Sequence, residues 1–218
     1  MNRDILIFAN GDANDGEMVR HAIRTAHNPL IAAADGGARN AHYYGLAPEV
    51  VMGDMDSLTL DEIAQLEASG AQIVRYPAEK DETDLELVLL WAGRSGGRRI
   101  RIIGAVGDRL DQTLANVYLL ALPSLRGLDV RMCSGKQEIR LALSGSITID
   151  GAQGDTISLV PLSGIVRGVR TEQLYYPLND EDLLFGPARG VSNVMNGDSA
   201  VIHVREGALL IVHTIGRA

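Results

Sequence analysis

Carboxylates gather at four places in this sequence, each following a short apolar run: Ala34-Asp35-Gly36-Gly37, Gly53-Asp54-Met55-Asp56-Ser57, Asp81-Glu82-Thr83-Asp84-Leu85-Glu86 and Gly104-Ala105-Val106-Gly107-Asp108-Arg109-Leu110-Asp111. Carboxylate oxygens are the hard ligands that Mg²⁺ prefers, with water and phosphate completing its shell. Asp54 and Asp56, two residues apart after an apolar run, suit such a cation. Asp81 and Asp84 lie beside a helix start, where a metal or a phosphate can be met. In the last stretch, glycines allow close approach of a ligand to backbone N–H groups, and the Arg109 guanidinium can fork onto a phosphate. Each stretch also has a plainer reading. Asp56 or Ser57 can cap the next helix, Thr83 with Glu86 fits a capping box, and Asp108 can be an N-cap beside a surface Arg109 ion pair. One acidic loop means little; four on one expected sheet edge are harder to dismiss as solvated turns.

The elements that must carry these loops follow from periodicity. Apolar strand-like runs at 5–9, 30–34, 50–52, 72–76 and 99–103 alternate with helical stretches at 16–26, 38–44, 60–68, 84–92 and 110–122. Strands alternating with helices imply a mostly parallel sheet covered by helices on both faces. Ligands of such sheets collect beyond the carboxyl ends of the strands, where the acidic stretches fall. After about residue 128 the helices stop. Strand-like segments at 129–133, 138–143, 146–149, 156–161, 166–171, 199–204 and 209–214 follow one another between Gly, Ser, Asn and Asp. That pattern predicts an all-β C-terminal sandwich or barrel-like domain, with a boundary near Gly135, giving domains of 1–135 and 136–218.

Composition narrows the partners. Twenty Lys+Arg against 28 Asp+Glu give a formal charge of -8, where a nucleic-acid binder more often carries a basic surplus. Aromatics are only 4%, too few for a base-stacking platform. No apolar run approaches the ~18–20 residues that cross a bilayer. The apolar run at 5–9 is too short for the core of a signal peptide, and the single cysteine, Cys133, fits a reducing compartment, so a cytoplasmic location is expected. Neither Gly-x4-Gly-Lys-Ser/Thr nor Gly-x-Gly-x-x-Gly occurs, so any ATP site is neither a P-loop nor a standard dinucleotide fold. The five histidines show no metal-ligand spacing.

Taken in order, these motifs resemble the thiamine pyrophosphokinase family. Leu174-Tyr175-Tyr176-Pro177-Leu178, Gly190-Val191-Ser192-Asn193 and Gly207-Ala208-Leu209-Leu210-Ile211 extend the resemblance over nearly the whole chain. Gln112, Gln173 and Val194 stand where His, Gly and Glu are expected in that family. The resemblance implies an α/β ATP- and Mg-binding catalytic domain, a β-rich thiamine-binding and dimerisation domain, and a homodimer. It implies transfer of pyrophosphate from ATP to the hydroxyl of thiamine, giving thiamine diphosphate and AMP, with ATP as co-substrate and Mg²⁺ as cofactor. On that basis Asp54, Asp56, Asp81 and Asp84 are the expected catalytic carboxylates, with Asp54, Asp56 and Asp84 on the metal. Asp35, Gly36, Gly37, Thr83 and Arg109 are expected at ATP, and Asp111, Gln137, Ser192 and Asn193 at thiamine. Two rival readings remain at this level: a non-enzymatic ATP/Mg-binding sensor module, and a metal-dependent nucleotidyl- or glycosyltransferase using Asp54 and Asp56.

Overall fold

Short runs of Ile, Leu, Val and Ala near the N-terminus are apolar on both sides, so they are stable only when both faces are covered. In the computed structural model, which describes residues 3–217, they form β1 (Ile5–Phe8), β2 (Leu30–Ala34), β3 (Val50–Gly53), β4 (Gln72–Arg75), β5 (Arg99–Ile103) and β6 (Asp129–Ser134). Every pairing among them is parallel, in the order β6-β5-β1-β2-β3-β4. Between them run α1 (Glu17–Arg24), α2 (Gly37–Tyr43), α3 (Leu60–Ala68), α4 (Asp84–Arg94) and α5 (Leu110–Leu119). Leu6, Phe8, Ile31, Ala33 and Ile103 share one face of the sheet and pack with Val19 and Ala22 of α1, Ala38 and Ala41 of α2, and Ile63 and Leu66 of α3. The opposite face is covered by α4, which lies on β2 and β3 and meets α5. The helix expected over 110–122 stops at Leu119, and Pro123–Leu125 forms a short 3₁₀ turn instead. Pro123 lacks the N–H that a continuing helix needs. Among the described residues no helix is long and apolar enough to cross a membrane.

The chain divides into two compact units, the first ending at Gly135 and the second starting at Lys136. The second is all β: β7 (Gln137–Ala142), β8 (Gly145–Asp150), β9 (Thr156–Pro161), β10 (Ile165–Glu172), β11 (Glu181–Leu184), β12 (Asn193–Val194), β13 (Ser199–Val204) and β14 (Leu209–Thr214). Within this unit, β12-β9-β14-β7 form one antiparallel array and β11-β10-β13-β8 the other. Ile157, Leu159, Leu209 and Ile211 of the first array and Val166, Val169, Ala200, Ile202 and Val204 of the second are buried in one core. Alternation of buried and exposed residues along β10 and β13 is the mark of sheets with one wet face. The Gly-rich turn at 150–155 does not close a hairpin: β8 pairs with β13 whereas β9 pairs with β14 and β12, so this turn carries the chain from one array to the other. β11 and β12 are absent from the sequence reading. Glu181 and Asp182 give β11 no apolar alternation, and β12 is two residues long, so only their partners define them.

A buried ionisable pair fastens that crossing turn. Asp155 is 5% exposed; one of its oxygens accepts the Gly216 N–H at 2.7 Å. The other accepts the Ala152 N–H at 3.0 Å and lies 2.8 Å from Nε2 of the buried His213. Burial pushes the Asp155 carboxyl up, but the Gly216 N–H, His213 and the Ala152 N–H together hold it below the ordinary carboxylate value. A carboxylate depressed in the folded state stabilises above its unfolded pKa of ~3.9 and loses that contribution as pH falls through the lower folded value. Asp155→Asn is therefore expected to cost about 1–3 kcal/mol near neutral pH, with the difference from wild type shrinking as acid protonates the folded-state carboxylate, below the ordinary carboxylate range. Urea unfolding at neutral and acid pH checks this, and a difference that persists unchanged in acid removes the ionised Asp155 carboxylate as its cause.

Candidate active site

The chain lays β1 to β4 outward in one direction and then returns to place β5 on the other side of β1. Connections leaving β1 and β5 thus diverge, which opens a crevice at the carboxyl ends of the strands. A cleft of about 420 Å³ occupies that position. Its walls are Ala9–Gly11 after β1, Ala34 and Asp35 at the end of β2, Asp54, Asp56 and Ser57 after β3, Lys80 and Thr83–Leu85 at the start of α4, and residues from Gly104 to Asn116 after β5.

Three carboxylates converge there. Asp35, Asp54 and Asp84 each offer an oxygen, and all three oxygens lie within 4.8 Å of one another. Asp35 is only 3% exposed. Its Oδ2 accepts the Ser57 N–H at 3.2 Å, while its Oδ1 is buried with no hydrogen-bond partner among the described residues. Asp84 Oδ1 is likewise buried without a hydrogen bond, although Lys80 Nζ stands 3.1 Å away as an ion-pair neighbour. Asp54 turns one oxygen back to the Asp56 N–H at 3.1 Å, and its Oδ2 is 3.7 Å from Lys80 Nζ. Burial raises the Asp84 pKa; Lys80 opposes this, while Asp54 and Asp35 add to it. Burial works against the Lys80 charge, yet Asp84 and Asp54 outweigh it and raise its pKa. Acceptors left unpaired in a buried site cost free energy. A hard divalent cation would satisfy Asp35 Oδ1 and could take Asp84 Oδ1 from Lys80, both being the donor type it prefers, so these residues fit Mg²⁺.

The backbone is bent to bring them together. Asp35 and Met55 have φ of 44° and 67°, left-handed values that a residue with a side chain adopts at a cost. Gly53 has φ of 152°, and a Cβ on it would lie 2.9 Å from Asp84 Cγ and 3.0 Å from Asp35 Cβ. Only glycine lets the end of β3 pass between the two aspartates.

The remaining sequence-based candidates fall in several places. Asp56 lines the cleft but is exposed, outside the three-carboxylate cluster, and accepts the Ser57 hydroxyl at 3.1 Å. Neither Asp56 nor Ser57 caps a helix; Thr59 does, in a full capping box with Glu62. Thr83 caps α4 by accepting the Glu86 N–H at 3.2 Å, without the reciprocal Glu86 bond, and also lines the cleft. Asp81 is exposed on the same loop and is not part of the cleft wall. Gly36 and Gly37 are buried beneath it, where a Cβ would strike the Asn10 side chain and the Phe8 carbonyl. Arg109 lines the cleft and pairs with the exposed Asp111. In the second unit, Gln137 donates to Thr214 Oγ1 at 3.3 Å from the start of β7. Ser192 is exposed, with φ of 59°, and its N–H donates to Ser158 Oγ. Asn193 is buried; its Oδ1 accepts the Tyr176 and Val194 N–H groups and its Nδ2 donates to the Tyr176 carbonyl.

Sequence reasoning passed over several cleft residues. Asn10 follows β1 directly and donates to Ser57 Oγ at 3.2 Å. Asn40 holds that loop by donating to the Ala9 and Gly11 carbonyls at 2.7 and 2.8 Å. Thr113 and Asn116 of α5 bind the Gly107 and Ala105 backbone and line the cleft together with Arg109 and Gln112. The spacing 109, 112, 113, 116 is one helix face, a signal present in the sequence.

The same two-part organisation is found in known proteins. Residues 23–132 match the family model "Thiamin pyrophosphokinase, catalytic domain", and residues 145–209 match "Thiamin pyrophosphokinase, vitamin B1 binding domain". A thiamine pyrophosphokinase of Bacillus subtilis is 27% identical over 191 residues, covering 87% of this chain and 89% of that protein. The crystal structure of the Bacillus subtilis thiamine pyrophosphokinase superposes with a TM-score of 0.86 over 98% of this chain and 99% of that one, at 27% identity. Yeast thiamin pyrophosphokinase, at 16% identity, shares the fold with a TM-score of 0.80 over 98% of this chain and 87% of its own. With the catalytic-domain match alone spanning half of its length, this chain belongs to the thiamin pyrophosphokinase family, the enzymes that transfer pyrophosphate from ATP to thiamine.

Proposed function

We propose that the cleft at the carboxyl ends of β1–β5 is where this chain transfers pyrophosphate from ATP to thiamine, with the Asp35, Asp54 and Asp84 cluster holding Mg²⁺. The observation that carries this assignment is the convergence of three carboxylates at the sheet's switch point, with Asp35 Oδ1 buried and unpartnered among the described residues and Asp84 Oδ1 met by Lys80 alone. Mg²⁺, when bound, supplies charge neutralisation and polarisation of the phosphate chain. The chain's own residues do the rest. Arg109, Thr83 and the Gly104–Gly107 backbone bind and orient the triphosphate beside the cluster. The thiamine hydroxyl oxygen forms a bond to the β-phosphorus as the bond to the α-phosphate oxygen breaks and AMP leaves. Asp56, in the cleft wall yet outside the cluster, is the carboxylate placed to accept the hydroxyl proton. Asp81, exposed on the loop before α4 and outside the cleft wall, takes no part in this reading.

Thiamine contacts are assigned to Asp111, Gln137 and Ser192, with Asn193 in a supporting role. Asn193 acts by holding the Tyr176 backbone, since most of its amide is already engaged. Asn193→Ala is expected to lower stability by about 1–3 kcal/mol and to raise KM for thiamine more than KM for ATP. Thermal melts with paired KM measurements check this; equal KM changes for both substrates remove the thiamine role. We also propose a homodimer. Tyr175, Tyr176, Leu184, Phe185 and Val191 are large apolar residues left exposed on the second unit, and covering them with a second copy would take that surface out of water. Sedimentation showing only monomer at micromolar concentration removes it. A cytoplasmic location is proposed from the cysteine usage, and subcellular fractionation tests it.

Incubation with ATP, Mg²⁺ and thiamine is expected to give AMP and thiamine diphosphate in equal amounts. ATP binding without turnover is the result expected of a sensor module, and pyrophosphate release without thiamine diphosphate that of a nucleotidyltransferase; either overturns the assignment.

A further inference from the structure

The loop leading into α4 is exposed at Pro77, Ala78, Glu79, Asp81, Glu82 and Thr83, but Lys80 turns inward until its side chain is only 11% exposed. Lysine is among the residues least often buried, and it is buried when it is paired. Its ammonium stands 3.1 Å from Asp84 Oδ1 and 3.7 Å from Asp54 Oδ2. These are two of the three carboxylates that the proposed cation requires. One monovalent charge cannot balance three converging carboxylates, and Asp35 Oδ1 is left without a partner. The ammonium reaches Asp84 Oδ1 and Asp54 Oδ2 and leaves the third carboxylate, Asp35, unserved.

We infer that Lys80 is a tethered counter-ion that holds the carboxylate cluster together before the divalent cation arrives and is displaced by it. The inference rests on the reading of the cleft as a cation and ATP site. Cation and ammonium compete for the same oxygens and repel each other, so binding of one weakens the other. Once displaced, the ammonium sits on a flexible stem at the cleft wall, where the nearest negative charge that comes with the cation is the phosphate chain. Lys80 thereby couples cation loading to nucleotide binding: its charge is spent on Asp54 and Asp84 in one state and on phosphate in the other.

The test is Mn²⁺ alone, titrated into the nucleotide-free protein and read by loss of the free Mn²⁺ paramagnetic resonance signal. Wild type is compared with Lys80→Met and Lys80→Gln, the second keeping a polar end should the first fold poorly. Both variants are expected to bind Mn²⁺ at least about tenfold more tightly than wild type. Both are also expected to raise KM for ATP while leaving KM for thiamine within about twofold. Mn²⁺ affinity that is unchanged or weaker in the variants overturns the exchange while leaving the cation site standing. If neither wild type nor variant binds Mn²⁺, and Asp54→Asn changes nothing in the titration, the cation reading itself fails.

Discussion

Asp54→Asn and Asp84→Asn are each expected to cut kcat for thiamine diphosphate formation by at least about 10³-fold while leaving the protein folded, because a carboxylate that helps hold a metal supplies several kcal/mol of transition-state charge stabilisation and each 1.36 kcal/mol is tenfold in rate. The fold should tolerate both changes. In the cluster three carboxylate oxygens lie within 4.8 Å of one another, and replacing one by an amide relieves repulsion while Lys80 keeps the other of Asp54 and Asp84 as its ion-pair partner. Metal-free melting temperature is therefore expected to stay level or rise as activity disappears. That opposition separates a ligand role from a structural one, since a structural aspartate would lose both together. Asp56→Asn serves as the comparison: it lies in the cleft wall but outside the cluster, so it should lower kcat without altering Mn²⁺ affinity. Near wild-type turnover in Asp54→Asn would remove the metal assignment. Measurement is by AMP and thiamine diphosphate production alongside thermal melts.

Gly53→Ala is expected to abolish most activity through a methyl group that touches no substrate. Its Cβ would lie 2.9 Å from Asp84 Cγ, closer than such carbons approach in folded proteins, and 3.0 Å from Asp35 Cβ, tighter than nearly all such contacts. The backbone at φ of 152° adds strain that alanine cannot shed. Asp35 has little freedom to yield, being buried with its Oδ2 on the Ser57 N–H. The cluster must therefore spread, and a misplacement of about 1 Å costs on the order of 10²-fold in rate. A stability loss of about 1–3 kcal/mol should accompany it. Mn²⁺ affinity measured on the folded variant separates the two effects. Weakened binding with folding intact supports the spread cluster, whereas wild-type affinity and rate would show that the two aspartates can move apart without consequence.

Much of this architecture is determined by local pattern. The alternation of apolar runs and helical stretches through residue 125 specifies a parallel sheet, because only strands covered on both faces read as apolar throughout. Acid-rich ends of those runs specify the edge at which ligands gather, and the observed cleft is lined from those loops. Spacing could not say which carboxylates meet. Asp35 lies 19 residues before Asp54 and 49 before Asp84, yet β2 and β3 are neighbours in the sheet and Gly53 allows α4 to start against them. Conversely Asp54 and Asp56, adjacent in any sequence reading, part company because Met55 takes a left-handed turn between them. In the second unit the strands were readable wherever apolar residues alternate, but β11 and β12 exist only through the strands they pair with. Residue chemistry and period are local properties, whereas the meeting of side chains depends on strand order and on the few backbone positions that permit close approach. The sequence therefore determined the family, the elements with a clear apolar period and the sheet edge that carries the cleft, while tertiary structure decided which carboxylates converge, the strands β11 and β12, the inward turn of Lys80 and the commitment of Asn193 to the backbone.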